Sequence, residues 1–314
     1  MKQRSWIPSS AAALRHFLVS ALVLSVFFSA VPASGEAPQY LENQWNYVDM
    51  SMDISRGIPE DVIGRLARIR ENGVLTVATS PYYAPQEFID PSREGQECYV
   101  GADMELARLI ALRMGVRLEI VPMEFTEVIS SVAEGGYDLA ISALSYTYGR
   151  SAILELSKGY YYTDEQTASG LLIRGEDSDT ILSLDDLARR DIVAQSGSLQ
   201  ETLAAENITL YHKFRRLPSA EDVYTAVMTG EADAGIVDIG IARTYLESNP
   251  DCGLIIVPDI IFPMQSQYAG DRVAAPKGEI QLICFVNGVI DEVLASGQYK
   301  KWFEEYARYN ASET

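Results

Sequence analysis

From residue 74 onward, short apolar runs alternate with longer stretches in which apolar residues recur every three or four positions. Residues 74–79, 118–121 and 138–141 read as buried strands. Between them, 103–114 puts Met104, Ala107, Ile110, Ala111 and Met114 on one helical face, and 126–134 reads as a second helix. Another set follows Tyr162, with strands predicted at 170–173, 192–194, 234–237 and 254–257 and helices at 199–205, after Ser219, and at 239–246. Ser183 and Ser219, each followed three residues later by an aspartate, have the spacing of a helix-opening capping box. A helix over 59–70 ends at Asn72-Gly73, 267–275 is a last extended stretch, and helices over 279–295 and 298–309 close the chain. The alternation predicts an α/β fold, with mainly parallel sheets flanked by crossover helices.

The N-terminal residues follow a different logic. Lys2, Arg4 and Arg15 precede an apolar run over 17–31, and Ala33, Ser34 and Gly35 follow, which is the layout of a secretory signal peptide. The run is short for a membrane span, and no cysteine near the cleavage region offers a site for lipid attachment. The expectation is a soluble exported protein, periplasmic or extracellular, cut near Ala33. Residues 39–57, with Trp45 and Tyr47, read as an extended lead-in.

Composition narrows the function. At 314 residues and 47% hydrophobic, the chain has material for two ordinary domains, and disorder is excluded. Lys and Arg number 25 against 44 Asp and Glu, a net charge of -19. Removing 1–33 takes away three positive and no negative charges, which lowers it to -22. Such a chain is a poor partner for nucleic acid or an anionic membrane, so a small ligand is expected. Of two histidines, His16 lies in the segment to be removed, leaving His212 and excluding any mechanism that needs a histidine pair. Cys98, Cys252 and Cys284 form no CxxC pair and no zinc-ligand spacing. Cys284 reads as a buried thiol, while a Cys98 to Cys252 bridge stays open as an alternative.

Open α/β sheets bind ligands at the carboxyl ends of their strands. That directs attention to Ser80 to Phe88, Phe125, Ser142 to Arg150, Gln195 to Gln200, and Asp238. Arg150 and Asp238 supply the two charges that a zwitterionic amino acid needs: a planar cation for its carboxylate and an acid for its ammonium group. Each has an alternative. The alternative for Arg150 is a surface arginine at a helix start, a position the helix dipole disfavours for a cation. Asp238 reads as the N-cap of the following helix, a role compatible with ligand binding. Ser198 likewise has the position of an N-cap, and Asp103 is expected to cap the first long helix.

Several stretches, taken together in order and spacing from about Gly73 to Tyr309, resemble the extracellular solute-binding proteins of family 3. They are Gly73-Val74-Leu75-Thr76-Val77-Ala78-Thr79, Tyr83-Ala84-Pro85, Tyr99-Val100-Gly101-Ala102-Asp103, Gly136-Tyr137-Asp138-Leu139-Ala140-Ile141-Ser142, Arg150, Gly197-Ser198-Leu199-Gln200-Glu201, Gly230-Glu231-Ala232-Asp233-Ala234 and Asp238. The resemblance implies a two-lobed periplasmic-binding-protein-like fold of type II, with a signal peptide over 1–33 and a lead-in segment and helix over 34–72. Lobe 1 would comprise 73–162 plus 268–314 and lobe 2 residues 163–267, with hinge crossovers near 162–166 and 258–267. It implies ligand contacts at Ser80, Tyr83, Phe125, Ser142, Ala143, Ser145, Arg150, Ser198, Leu199 and Asp238. In it, Arg150 grips the α-carboxylate, Asp238 the α-amino group, Tyr83 and Phe125 sandwich the aliphatic part, Ser142, Ala143 and Ser145 add donors from one lobe, and Ser198 and the Leu199 amide add donors from the other. The function implied is capture of an amino acid by a monomer and its delivery to the membrane permease of an ATP-driven (ABC) importer, with no cofactor, metal or catalytic group.

Two departures bear on the ligand. Many members carry an aromatic residue where this chain has Gln86, and several that take basic or polar amino acids place an acid where it has Ser80, which weakens the expectation of lysine or arginine. Glu87 and Gln195 remain as possible contacts to the ligand's side chain. An enzyme of the prephenate or arogenate dehydratase type shares the scaffold and is the alternative, as is a sensor module for a receptor. A Gly-x-Ser-x-Gly elbow and a metal-ligand cluster are both missing from the sequence.

Overall fold

The computed structural model describes residues 57–162, 168–263 and 269–312. The expected signal peptide, the lead-in as far as residue 56 with Trp45 and Tyr47, and residues 163–167 and 264–268 within the expected hinges lie outside the described residues. In chain order come α1 (Gly64–Asn72), β1 (Val74–Thr79), β2 (Tyr82–Tyr83), β3 (Glu87–Ile89), β4 (Tyr99–Val100), α2 (Ala102–Met114) and β5 (Arg117–Pro122). Then follow α3 (Phe125–Ala133), β6 (Leu139–Ser145), α4 (Tyr148–Ile153), β7 (Leu154–Tyr161), β8 (Ala168–Arg174), β9 (Asp191–Gln195), α5 (Leu199–Asn207) and β10 (Lys213–Leu217). The chain continues with α6 (Ala220–Met228), β11 (Ala234–Asp238), α7 (Ile239–Ser248), β12 (Leu254–Pro263), β13 (Asp271–Pro276), α8 (Ile280–Ser296) and α9 (Gln298–Ser312).

Two five-stranded sheets organise these elements, in the orders β5-β1-β6-β13-β7 and β10-β9-β11-β8-β12. In the first, β5, β1 and β6 are parallel and β13 runs antiparallel to both β6 and β7. In the second, β10, β9 and β11 are parallel and β8 runs antiparallel to β11 and β12. The chain leaves the first sheet after β7 and returns to it at β13, so each sheet's one reversed strand is the strand that enters from the other. This matters for the site: the first residue of β13 lies beside the carboxyl ends of the parallel strands.

The first sheet packs on α1, α2 and α8 through Leu66, Ile69, Leu106, Ile110, Leu139, Phe285 and Val289, all buried. The second packs on α5 to one side, through Leu199 and Leu203, and on α6 to the other, through Val223 and Val227. Truncating any of the fully buried leucines to alanine costs about 2–5 kcal/mol. Among the described residues no single helix is long and apolar enough to cross a membrane. Cys98, Cys252 and Cys284 are all free thiols, so the open Cys98 to Cys252 bridge is not formed, and Cys284 is buried in α8.

Several predicted elements shift. The first helix begins at Gly64 rather than at residue 59, because its amino end is met by groups from the end of the chain: the Arg65 amide donates to Glu279 Oε2 and the Ile63 amide to Gln281 Oε1. β6 runs on through Ser145, so Ser142, Ala143 and Ser145 lie in the strand rather than in a loop after it. Its last residues are held extended by β13, with Ser145 opposite Asp271 and Leu144 opposite Arg272. Strands β7 and β10 and the three-stranded β2-β3-β4 sheet are additions to the predicted set.

Candidate functional site

The carboxyl ends of the two sheets meet, and Arg150 stands at the seam. It is the third residue of α4, whose N-cap Thr147 accepts from the Arg150 amide through its hydroxyl. The side chain is buried: Nη1 donates to the Ser145 carbonyl at 2.7 Å, and Nη2 crosses the seam to the Gly197 carbonyl at 2.9 Å. The Phe125 ring lies 5.2 Å from the guanidinium carbon, a cation–π contact that also screens it from water. A guanidinium has five donors, and only two are assigned to these carbonyls. No carboxylate forms an ion pair with it among the described residues. Burial pulls the group down to about 10, far enough above neutrality that it stays charged, and the Asp271 carboxylate is the one charge that opposes the shift. A buried cation without an acid bound to it is costly, so the geometry calls for an anionic ligand group.

Beneath Arg150 the site strand rests on a buried polar network. Ala143 adopts a left-handed backbone, φ 47, where the register between β6 and β13 slips. Such bulges recur beside binding sites. Asp103 holds the bulge by accepting the Ala143 amide at 2.8 Å, and it also accepts the hydroxyls of Tyr160 and Tyr299. The N-cap of α2 is therefore Gly101 and not Asp103, whose buried side chain points into the network instead of back to its own helix end. A Cβ at Gly101 would lie 2.2 Å from the Gln86 carbonyl, so only glycine admits this approach. Glu87, 1% exposed, accepts the Ser142 hydroxyl through Oε1. Its Oε2 has no hydrogen-bond partner among the described residues, and burial together with the Asp103 charge pushes its carboxyl well above the usual carboxylate range.

This network changes what the first sheet offers a ligand. The Ser142 hydroxyl is occupied, donating to Glu87 and accepting from the Ser80 amide at 3.0 Å. The Ala143 amide, expected to face a carboxylate, is taken by Asp103. Ser145 acts through its carbonyl, as an acceptor for Arg150. Ser80 is buried, and its hydroxyl oxygen has no partner among the described residues. Glu87 is sealed below the strand, and Gln195 turns to the Pro218 carbonyl at 3.3 Å.

The second sheet presents helix ends. Asp238 closes β11 and caps α7, accepting the Ile241 amide at 3.0 Å through Oδ1; burial raises its carboxyl. Ser198 caps α5, accepting the Glu201 amide at 3.0 Å while donating to the Gln195 carbonyl at 2.7 Å, so its hydroxyl is spent locally. The Leu199 amide, at the first position of α5, is one of the donors that a helix start leaves without an intrahelical partner. Gly197 has φ +72, and a Cβ there would meet Thr126 Cγ2 at 3.0 Å, so the turn lies tight against α3 of the other sheet. Tyr83 reaches across to pack with the cluster of Tyr224, Val237 and Tyr245, and burial and then the Asp238 charge raise its hydroxyl. Tyr83, Phe125, Arg150, Gly197 and Asp238 are thus brought to one seam.

Asp271, at the start of β13, also belongs there, and no local motif marks it. Its Oδ2 accepts Gln86 Nε2 at 2.9 Å, and the same amide group reaches the Tyr299 hydroxyl at 3.1 Å. Burial first, and then the Asp103 charge, push its carboxyl up to about 7, while Arg150 draws it down.

The arginine-binding extracellular protein ArtP of Bacillus subtilis is 29% identical over 234 residues, 73% of this chain and 86% of that protein. The crystal structure of the amino acid ABC transporter substrate-binding protein AbpA of Streptococcus pneumoniae, bound to L-arginine, superposes with a TM-score of 0.68 at 32% identity, covering 78% of this chain and 98% of the other. Cyclohexadienyl dehydratase of Pseudomonas aeruginosa is 28% identical over 189 residues, 60% of this chain and 67% of the enzyme. The fold is of the type II periplasmic binding class, as expected. With the pattern of the bacterial extracellular solute-binding proteins, family 3, matching residues 75–309, the chain belongs to that family.

Proposed function

We propose that the protein is exported and captures an amino acid, or a similar amino carboxylate, at the seam between its two sheets, then delivers it to the permease of an ABC importer. The observation that carries this reading is the buried Arg150 guanidinium, held by two carbonyls and by no carboxylate among the described residues. The ligand's α-carboxylate completes its donors, and Asp238 on the opposite side takes the α-ammonium group. Tyr83 and Phe125 cover the aliphatic portion, and the Leu199 amide adds a donor. The amino acid ligands named for ArtP and AbpA support the same class. Two lobes, 73–162 plus 268–314 and 163–267, rotate shut about crossovers near 162–166 and 258–267, and charge pairing stabilises the closed form that a permease recognises. The protein works as a monomer and performs no chemistry.

A thermal-shift screen against the twenty amino acids, followed by calorimetry, tests this. A ligand at about one hundred times its Kd adds roughly 2.7 kcal/mol of stability, and Arg150→Ala abolishes the shift. No shift from any amino acid contradicts the reading. A second reading, a dehydratase acting on prephenate or arogenate, is favoured by the similarity to the cyclohexadienyl dehydratase of Pseudomonas aeruginosa, with Asp271, held by Gln86 at the seam and its carboxyl raised by burial, as the candidate general acid. Consumption of prephenate by the purified protein would establish it.

A further inference from the structure

Counting charges at the seam raises a question that an ordinary zwitterion does not answer. Arg150 is the cation, and Asp238 and Asp271 are two acids, one from each sheet. A bound amino acid pairs its carboxylate with Arg150 and its ammonium group with Asp238. That leaves Asp271, only partly exposed at the start of β13, with no positive group to pair its charge, an unfavourable outcome unless a second positive group meets it. Asp271 makes no ion pair among the described residues. Its placement is built rather than incidental. β13 runs opposite to β6, which sets its first residue at the carboxyl end of the parallel strands, directly across from Ser145, whose carbonyl holds Arg150. Gln86, 2% exposed, fixes one carboxylate oxygen of Asp271. On the first sheet's side Ser80 is buried, and its hydroxyl oxygen has no partner among the described residues.

We propose that Asp271 reads the ligand's side chain and selects an amino acid carrying a second positive charge, in place of the acid missing at Ser80. This rests on the seam being an amino-acid site. It reverses the expectation drawn from Ser80 alone: the charge is supplied from another strand, and the choice of ligand class passes from the first sheet's leading edge to the strand that returns from the second sheet. The groups facing Asp271 are Gln86 from the turn before β3, Asp103 from α2, Arg150 from α4 and Asp238 across the seam. The Asp271 charge also acts on Glu87, Tyr83, Tyr160 and Tyr299. Of these only Arg150 is positive, and a ligand carboxylate would satisfy it.

The test compares pairs that differ in side-chain charge, arginine against citrulline and lysine against norleucine, by calorimetric titration of the protein and of Asp271→Asn, which keeps an acceptor for Gln86. At about pH 8 the cationic member of at least one pair binds at least about 30-fold tighter to the protein, and Asp271→Asn cuts the ratio of cationic to neutral affinity at least about tenfold. The preference also shrinks as pH falls from about 8 to about 5.5, as the carboxylate takes up a proton. A preference unchanged in Asp271→Asn, or equal binding of both members of each pair, overturns the proposal while leaving the amino-acid site intact. If all four ligands and the other amino acids fail to bind, the underlying reading falls and this one with it.

Discussion

The two sides of the seam are built in opposite ways. On the second sheet's side the functional groups are held by their own neighbours: Ser198 caps through the Glu201 amide, Asp238 through the Ile241 amide, and Ser219 pairs reciprocally with Asp222, each three residues away. On the first sheet's side they are held from far along the chain. Asp103 fixes Ala143 from 40 residues away and is fixed by Tyr299 from 196, and Gln86 sets Asp271 across 185. A locally capped side can be altered one residue at a time. A side that rests on a buried shared network fails as a unit, because a half-satisfied network leaves polar groups stranded.

Mutations can break or sharpen that contrast. The largest effect is expected for Arg150→Ala, which leaves the ligand's carboxylate without its cation and weakens binding by at least about 100-fold, read by calorimetry. Asp103→Asn strikes the network beneath. It costs about 2–4 kcal/mol of stability, a fall in Tm of roughly 4–16 °C, and weakens binding at the same time because Ala143 and the end of β6 lose their anchor. Asp238→Asn is the counterpart on the locally built side: asparagine still caps α7, so Tm stays within about 2 °C while affinity drops roughly 10- to 100-fold. Ser198→Ala removes one cap and costs about 1 kcal/mol, with little change in affinity beyond it. If Asp103→Asn and Asp238→Asn move stability equally, the contrast between the two sides is wrong.

The smallest effect concerns pH in the ligand-free protein. The folded value of Asp271, about 7, lies above the ordinary carboxylate value, so the folded state binds its proton first. Its contribution is favourable at low pH and is lost as pH rises from about 4 through about 7. Glu87, raised by burial and by Asp103, acts in the same direction. Thermal unfolding without ligand should therefore show Tm rising as pH is lowered from about 8 to about 5.5, and Asp271→Asn should flatten the slope.

The same contrast explains what the sequence made legible. Caps and strand ends are written within a few residues, so the α/β alternation, Asp238 and Ser198 could be placed from spacing, and the family resemblance supplied Arg150, Tyr83 and Phe125. The buried network could not be read in that way. Asp103 has the position of a helix cap, yet its partners come from β6, β7 and α9. Ser142 and Ala143 are expected to face a ligand, but their donors are taken by Glu87 and Asp103. Asp271 carries no motif, and its place at the seam follows only from β13 entering the first sheet against the direction of β6. The strand β7 escaped for a related reason: it is completed by β13, more than a hundred residues later.

In the proposed function, Arg150 and Asp238 together hold the two backbone charges of an amino acid. Its most direct test is a calorimetric titration of the protein with each amino acid that binds, set against that amino acid's decarboxylated amine and its N-acetyl derivative. Loss of either charge should weaken binding at least about 100-fold, since each leaves a buried partner unpaired. An amine or an N-acetyl derivative that binds as tightly as its parent would contradict the account.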